Sequence, residues 1–288
     1  MSGRTPESSQ PIFNLNAYSP AEIQDSVETV GVKKATLPFL PSFMLSVMAG
    51  GSIGLGALYY TIVASDADLS FATIRVIGGL VFSLGLTLVL VAGAELFTGN
   101  NLIVMAWASG KISTRQVLRN WTIVYLGNLV GSIGLVMLVL LSGHLDMNGG
   151  RIGLTILNTA VAKISPDLVT LFFKGILCNV LVCLGVWLAY AGRSVTDKIV
   201  GLMLPVSAFV AAGFEHCIAN MYFLPLAWLL TETGKVPAGF DSSVITINGI
   251  IHNLVPVTLG NIVGGSGFIG LAYWLIYRRG LGESRTKQ

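Results

Sequence analysis

The stretch "AAGFEHCIANMYF", residues 211–223, sets a carboxylate, an imidazole and a carboxamide (Glu215, His216, Asn220) inside an apolar run from Ile199 to Leu230. A second stretch, "ELFTGN" at 95–100, has the same Glu-x-x-x-x-Asn frame as "EHCIAN" at 215–220 and carries the hydroxyl of Thr98. Polar groups this deep in apolar sequence are costly and face a cavity or a bundle interior. If each frame interrupts a helix, the new helix start presents free N–H groups, which attract anions. Two opposed breaks, one with an imidazole and one with a hydroxyl, make a station for a small anion. An imidazole titrates near ~6.5, so His216 is also the group that could lend a proton there. Glu95 and Glu215 read as carboxylates capping the half-helices, which suits the helix dipole.

The elements that must hold these residues are membrane helices. The 288 residues are 53% hydrophobic and only 11% charged, with mean hydropathy +0.75. Soluble domains carry roughly 25% charged residues, so too few remain to cover a water-facing surface. The 34 glycines fit closely packed membrane helices. The polar, acidic first 30 residues contain no signal-peptide core. Cys178, Cys183 and Cys217 all fall in apolar runs, which argues against a disulfide framework. A net charge of +3, with no basic cluster interleaved with aromatics, gives no sign of a nucleic-acid partner.

Six segments are long enough to span a ~30 Å hydrocarbon core: roughly 36–63, 73–109, 116–142, 167–191, 199–231 and 244–277. The second and fifth are too long for one straight span and are expected to break. Twelve basic residues fall on one side: Arg4, Lys33 and Lys34; Lys111, Arg115 and Arg119; Arg193 and Lys198; Arg278, Arg279, Arg285 and Lys287. The other side holds Arg75, Arg151, Lys163 and Lys235. The basic side is expected to be cytoplasmic, with both termini. Ser19, Pro20 and Glu22 form a helix-start signature, so a short surface helix precedes the first span. The expected organisation is a cytoplasmic segment 1–35, a channel domain 36–277 and a tail 278–288.

The chain also repeats itself. "LGNLVGS" at 126–132 and "LGNIVGG" at 259–265 agree at five of seven positions, 133 residues apart, and the two Glu-x-x-x-x-Asn frames lie 120 apart. Three spans per half invert the second half, giving repeats of about 36–142 and 167–277. Interrupted helices at matching places in such a repeat point to a midplane site.

"GAELFTGNN" (93–101), "LMLPVS" (202–207), "SAFVAAGFEHCIANM" (207–221) and "NLVPVTLGNIVGG" (253–265) resemble the formate/nitrite transporter family, most closely its formate channels. The resemblance runs from about residue 12 to 280. It implies an all-α, aquaporin-like protomer of six helices with helices 2 and 5 interrupted, assembled as homopentamers in the inner membrane, each protomer with its own pore. The implied activity is passive, bidirectional passage of formate and related small monovalent anions, with no cofactor and no metal. Residue by residue, it makes His216, beside Glu215, the central pore histidine and Thr98 the loop threonine. Phe82, Leu86, Leu96 and Phe209 become apolar constrictions, Lys163 a vestibule lysine and Asn179 a span-four residue near the pore. Cys217 receives no role. Lys174 matches no such feature and reads as a lysine reaching for the interface. Asn128 and Asn261 read as helix-to-helix ties.

On this reading Lys163 and the helix dipoles draw formate in, Thr98 and His216 hydrogen-bond it, and His216 lends a proton across the apolar gate. Nitrite and hydrosulfide remain alternatives. A neutral-solute aquaporin would carry paired Asn-Pro-Ala motifs, which are absent. His144, His216 and His252 are scattered, with no metal-binding or nucleophile spacing to suggest an enzyme.

Overall fold

The computed structural model describes residues 16–279. Arg4, Arg285 and Lys287 of the charge argument therefore lie outside the described residues. The first helix, α1 (Pro20–Thr36), opens with the expected capping box: the Ser19 side chain accepts from the Glu22 N–H and the Glu22 carboxylate from the Ser19 N–H. Its inward face is tied down by a buried carboxylate. Glu28 accepts from Ser109 at 2.6 Å and from Gln24 at 3.0 Å, and pairs with Lys111. Burial alone would push the Glu28 carboxyl up. The hydrogen bonds from Lys111, Ser109 and Gln24 outweigh it and hold the group below its ordinary value.

Pro38 separates α1 from α2 (Phe39–Ala64). Then come α3 (Phe71–Ala92), a tight turn Gly99–Ile103 leading into α4 (Val104–Ala108), and α5 (Thr114–Leu141). After α6 (Arg151–Ile164), Asp167 caps α7 (Leu168–Ala191), accepting from two backbone N–H groups. Next are α8 (Val195–Ala211), α9 (Cys217–Glu232) and α10 (Ile247–Ile262), which continues in wider π-type turns to Tyr277. Five of these helices, α2, α3, α5, α7 and the run Ile247–Tyr277, are long and apolar enough to cross a membrane. This is an all-α, multi-pass membrane fold.

Two expected spans are discontinuous. The segment 73–109 is α3, an extended stretch and two short helical pieces; 199–231 is α8 and α9 with a break between them. One element was not foreseen. Residues 151–164 read as loop in the sequence, yet form α6, whose Ile152, Ile156, Leu157, Ala160 and Ile164 point inward at helical spacing.

The packing comes in two matching sets. α2 lies along α5 and α3, α7 lies along α10 and α8, and α3 meets α8. The repeated motifs are the contact points. A methyl group on Gly131 would sit 1.9 Å from the Val47 carbonyl oxygen, and one on Gly264 would sit 2.2 Å from that of Ile176. Only glycine lets the backbones come so close. The outer faces stay apolar: Met44, Met48, Leu126, Leu138 and Leu141 are all exposed.

Candidate functional site

Both breaks start the same way. A glycine with positive φ ends each helix, Gly93 (81°) after α3 and Gly213 (71°) after α8, a conformation other L-residues rarely adopt. Two residues on, a buried glutamate is gripped by a lysine and an asparagine. Glu95 meets Lys34 at 3.0 Å and Asn100 at 2.7 Å; Glu215 meets Lys163 at 3.1 Å and Asn220 at 2.7 Å. Each asparagine then donates to another, Asn100 to Asn120 at 3.0 Å and Asn220 to Asn253 at 2.7 Å. Those partners in turn donate to the carbonyls of the same lysines, Lys34 at 3.1 Å and Lys163 at 2.7 Å.

Asn128 and Asn261 complete the frame. Asn128 Oδ1 accepts the Phe97 N–H and Asn261 Oδ1 the Cys217 N–H, both at 2.9 Å. Their amides reach back to the carbonyls of Glu95 and Glu215, also at 2.9 Å. These bonds satisfy the Phe97 and Cys217 N–H groups and the Glu95 and Glu215 carbonyls that the breaks leave without helical partners, which helps tolerate non-helical backbone here.

The two breaks meet at one contact. Thr98 Oγ1 lies 2.9 Å from His216 Nε2, with both residues almost wholly buried. His216 is also the N-cap of α9, because its Nδ1 accepts the Ala219 N–H at 3.1 Å. A backbone N–H can only donate, so Nδ1 is the acceptor and the neutral ring carries its proton on Nε2, facing Thr98. Both ring nitrogens cannot be protonated while this cap is in place. The cap expected of Glu215 therefore belongs to its neighbour: the Glu215 carboxylate is taken by Lys163 and Asn220.

Cavities lie on either side of this contact. Toward α6, one of about 460 Å³ is lined by Lys163, Glu215, His216, Phe82 and Phe209, with Arg75 and Lys174 also on its wall. Phe82 and Phe209 meet edge to face, centroids 5.8 Å apart, and Phe209 stacks on the His216 ring at 5.9 Å. Toward α1, a space of only about 40 Å³ is lined by Leu86, Leu96, Lys34 and the α1 residues Val27 and Gly31. Asn179 faces neither space. Its amide donates to the carbonyls of Thr98 (3.3 Å) and Asn261 (2.6 Å) and to Asn101 Oδ1 (2.8 Å), so it fastens one break to the other half.

Sequence reasoning assigned no site role to Lys34, Asn120 or Asn253. A signal for the asparagines was available: Asn120 precedes Asn128, and Asn253 precedes Asn261, by the same eight residues. Lys174, read as an interfacial lysine, stands on the cavity wall.

Two helix breaks that meet at a buried Thr98–His216 contact, inside an all-α multi-pass membrane fold, make up the candidate site. The family described as formate/nitrite transporter matches residues 21–275, and the chain belongs to that family. It is 43% identical over 270 residues to the Escherichia coli K12 protein named formate channel FocA, covering 90% of this chain and 94% of that one. A Haemophilus influenzae protein of the same name is 41% identical over 266 residues, 88% of this chain and 93% of that one. A solved structure titled pentameric formate channel with formate bound superposes with a TM-score of 0.77 at 44% identity, covering 83% of this chain and 97% of that one.

Proposed function

We propose that this protein is a passive, bidirectional channel for formate and related small monovalent anions, with one pore per protomer. The observation that carries the reading is the buried Thr98–His216 contact between two cavities, at the meeting of two helix breaks. The relatives named as formate channels supply the substrate class.

The physical problem is dehydration. An anion that passes the Phe82–Phe209 and Leu86–Leu96 constrictions sheds water, and a bare charge in an apolar passage is heavily penalised. In this reading the donors of the contact replace that water: Nε2–H of His216 and the Thr98 hydroxyl both turn to the carboxylate. Lys163, Glu215 and Asn179 hold the frame around them. Hydrogen bonding from Nε2–H leaves the Ala219 cap intact. The proton-linked route, in which His216 lends its proton, first needs the ring charged at both nitrogens and so needs that cap to open.

The architecture extends the same reading. The twofold hydrogen-bond frame supports an inverted repeat of three spans each, about 36–142 and 167–277, with α3–α4 and α8–α9 as the interrupted helices of an aquaporin-like six-span channel body, 36–277. The cytoplasmic face is the side of α1, where the basic loops cluster, with both termini inside and the membrane the cell's inner membrane. A pentamer follows by analogy with the structure titled as one.

Purified protein in liposomes tests the reading, with formate, nitrite and glycerol compared at about pH 5 and about pH 7.5, either side of the ordinary imidazole value. Formate flux above that of nitrite, with no glycerol passage, is the expected result. Equal formate and nitrite rates mean a broader anion pore, and glycerol flux without anion flux overturns the assignment.

A further inference from the structure

Lys163 is not the free charge of the large cavity. Its ammonium is bound to Glu215 at 3.1 Å and lies 5.6 Å from the Phe223 ring centre, so the pair contributes little net field. Two other cations line the same cavity, Arg75 from the start of α3 and Lys174 from α7. Among the described residues neither has a carboxylate at ion-pair distance. Both sit close to the second break. The Glu215 N–H donates to the Lys174 carbonyl at 3.3 Å, and a methyl group on Gly213 would lie 3.7 Å from both terminal guanidinium nitrogens of Arg75. Arg75 is steadied by the Phe71 ring, 5.2 Å away, which leaves its donors available. Thr155, Asn158 and Thr159 on α6 bring further hydrogen-bonding groups to the same wall. Among the described residues the cavity on the side of α1 is about 40 Å³, and Lys34, on its wall, is spent on Glu95 and Asn100.

Two cations that line one cavity with no carboxylate at ion-pair distance among the described residues leave its potential positive. A cavity with low-dielectric walls also focuses their field and raises the local anion concentration. We infer that Arg75 and Lys174 form an anion-binding station for a small monovalent carboxylate, occupied before the anion reaches His216. This rests on the formate reading above, and it moves the attracting charge away from Lys163.

The test is formate flux in liposomes as a function of formate concentration, at low salt, for Lys174→Cys and Arg75→Cys. The native cysteines Cys178, Cys183 and Cys217 are buried, so water-soluble thiol reagents reach the introduced one. Loss of either charge is expected to raise the half-saturating formate concentration roughly two- to threefold, the size of a unit charge acting over ~8 Å of water, with maximal flux unchanged. A cationic methanethiosulfonate should restore the wild-type value and an anionic one should raise it further. Lys174→Arg should match wild type. In about 1 M salt, where the Debye length is ~3 Å, the differences should vanish. Half-saturation that ignores the sign of the reagent overturns the inference. Should the cysteine variants fail to assemble, wild-type half-saturation still decides, because it must rise with ionic strength. Absence of formate flux in wild type would instead sink the functional reading itself.

Discussion

At the first break Gly93 turns the chain, Lys34 and Asn100 hold Glu95, and Asn128 fixes the amide of Phe97; at the second, Gly213, Lys163, Asn220, Glu215, Asn261 and Cys217 take the same parts. Between glutamate and fixed amide lies one residue, and there the halves part. It is Leu96 in the first and His216 in the second. The surroundings differ too: Leu96 borders a space of about 40 Å³ beneath α1, while His216 borders one of about 460 Å³. The same hydrogen-bond frame therefore carries an apolar side chain at one point and a hydrogen-bond donor at the matching one.

The comparison breaks hardest at the ion pairs. Lys163→Met and Lys34→Met each strand a buried glutamate, which should cost on the order of 3–5 kcal/mol. The Lys163 side chain is 15% exposed and that of Lys34 22%, so the second half should suffer more. Thermal unfolding midpoints in detergent check this; equal losses would mean that exposure does not set the cost.

A smaller effect sharpens the likeness. Gly93→Ala and Gly213→Ala each force a methyl-bearing residue to positive φ, at about 1–2 kcal/mol. Neither added methyl meets anything closer than 3.7 Å, so the two losses should agree. A large difference in unfolding midpoint would show that the breaks are not equivalent in backbone strain.

The smallest effect concerns α1, which packs over the turn Gly99–Ile103 of the first break and also against α7. Glu28→Gln should loosen α1 by less than about 1 kcal/mol, seen as faster amide exchange in residues 20–36 with α6 unaffected. The same loosening should follow acid. Glu28 titrates below its ordinary 4.5 when folded, so its contribution is present above that value and is lost as pH falls through the lowered one. Protection of the α1 amides, taken relative to the intrinsic exchange rate at each pH, should fall as the pH drops below 4.5, and unchanged protection would contradict this.

Much of this was legible in the residues. The α1 cap, the long apolar helices and the positions of both breaks follow from capping chemistry, span length and the Glu-x-x-x-x-Asn frames. The failures have physical causes. α6 was hidden because its amphipathic pattern covers only 14 residues between polar turns. Glu215 looked like the cap of α9 because a carboxylate suits a helix start, but Lys163 competes for it and leaves the cap to His216. Asn120 and Asn253 escaped because their partners lie far along the chain, on α1, α6 and the breaks. Charge type alone could not say that Lys163 is neutralised while Arg75 and Lys174 are not.

The most direct test of the central claim is formate flux in liposomes for wild type, His216→Asn and Thr98→Val. Asparagine is itself a good N-cap, so His216→Asn removes the imidazole donor and spares the start of α9. Loss of a hydrogen bond to a charged group is worth about 1.5–3 kcal/mol, so flux should fall roughly 10- to 100-fold for His216→Asn, and for Thr98→Val as well. Wild-type flux in both variants, with intact assembly, would contradict the claim that this contact carries the anion across.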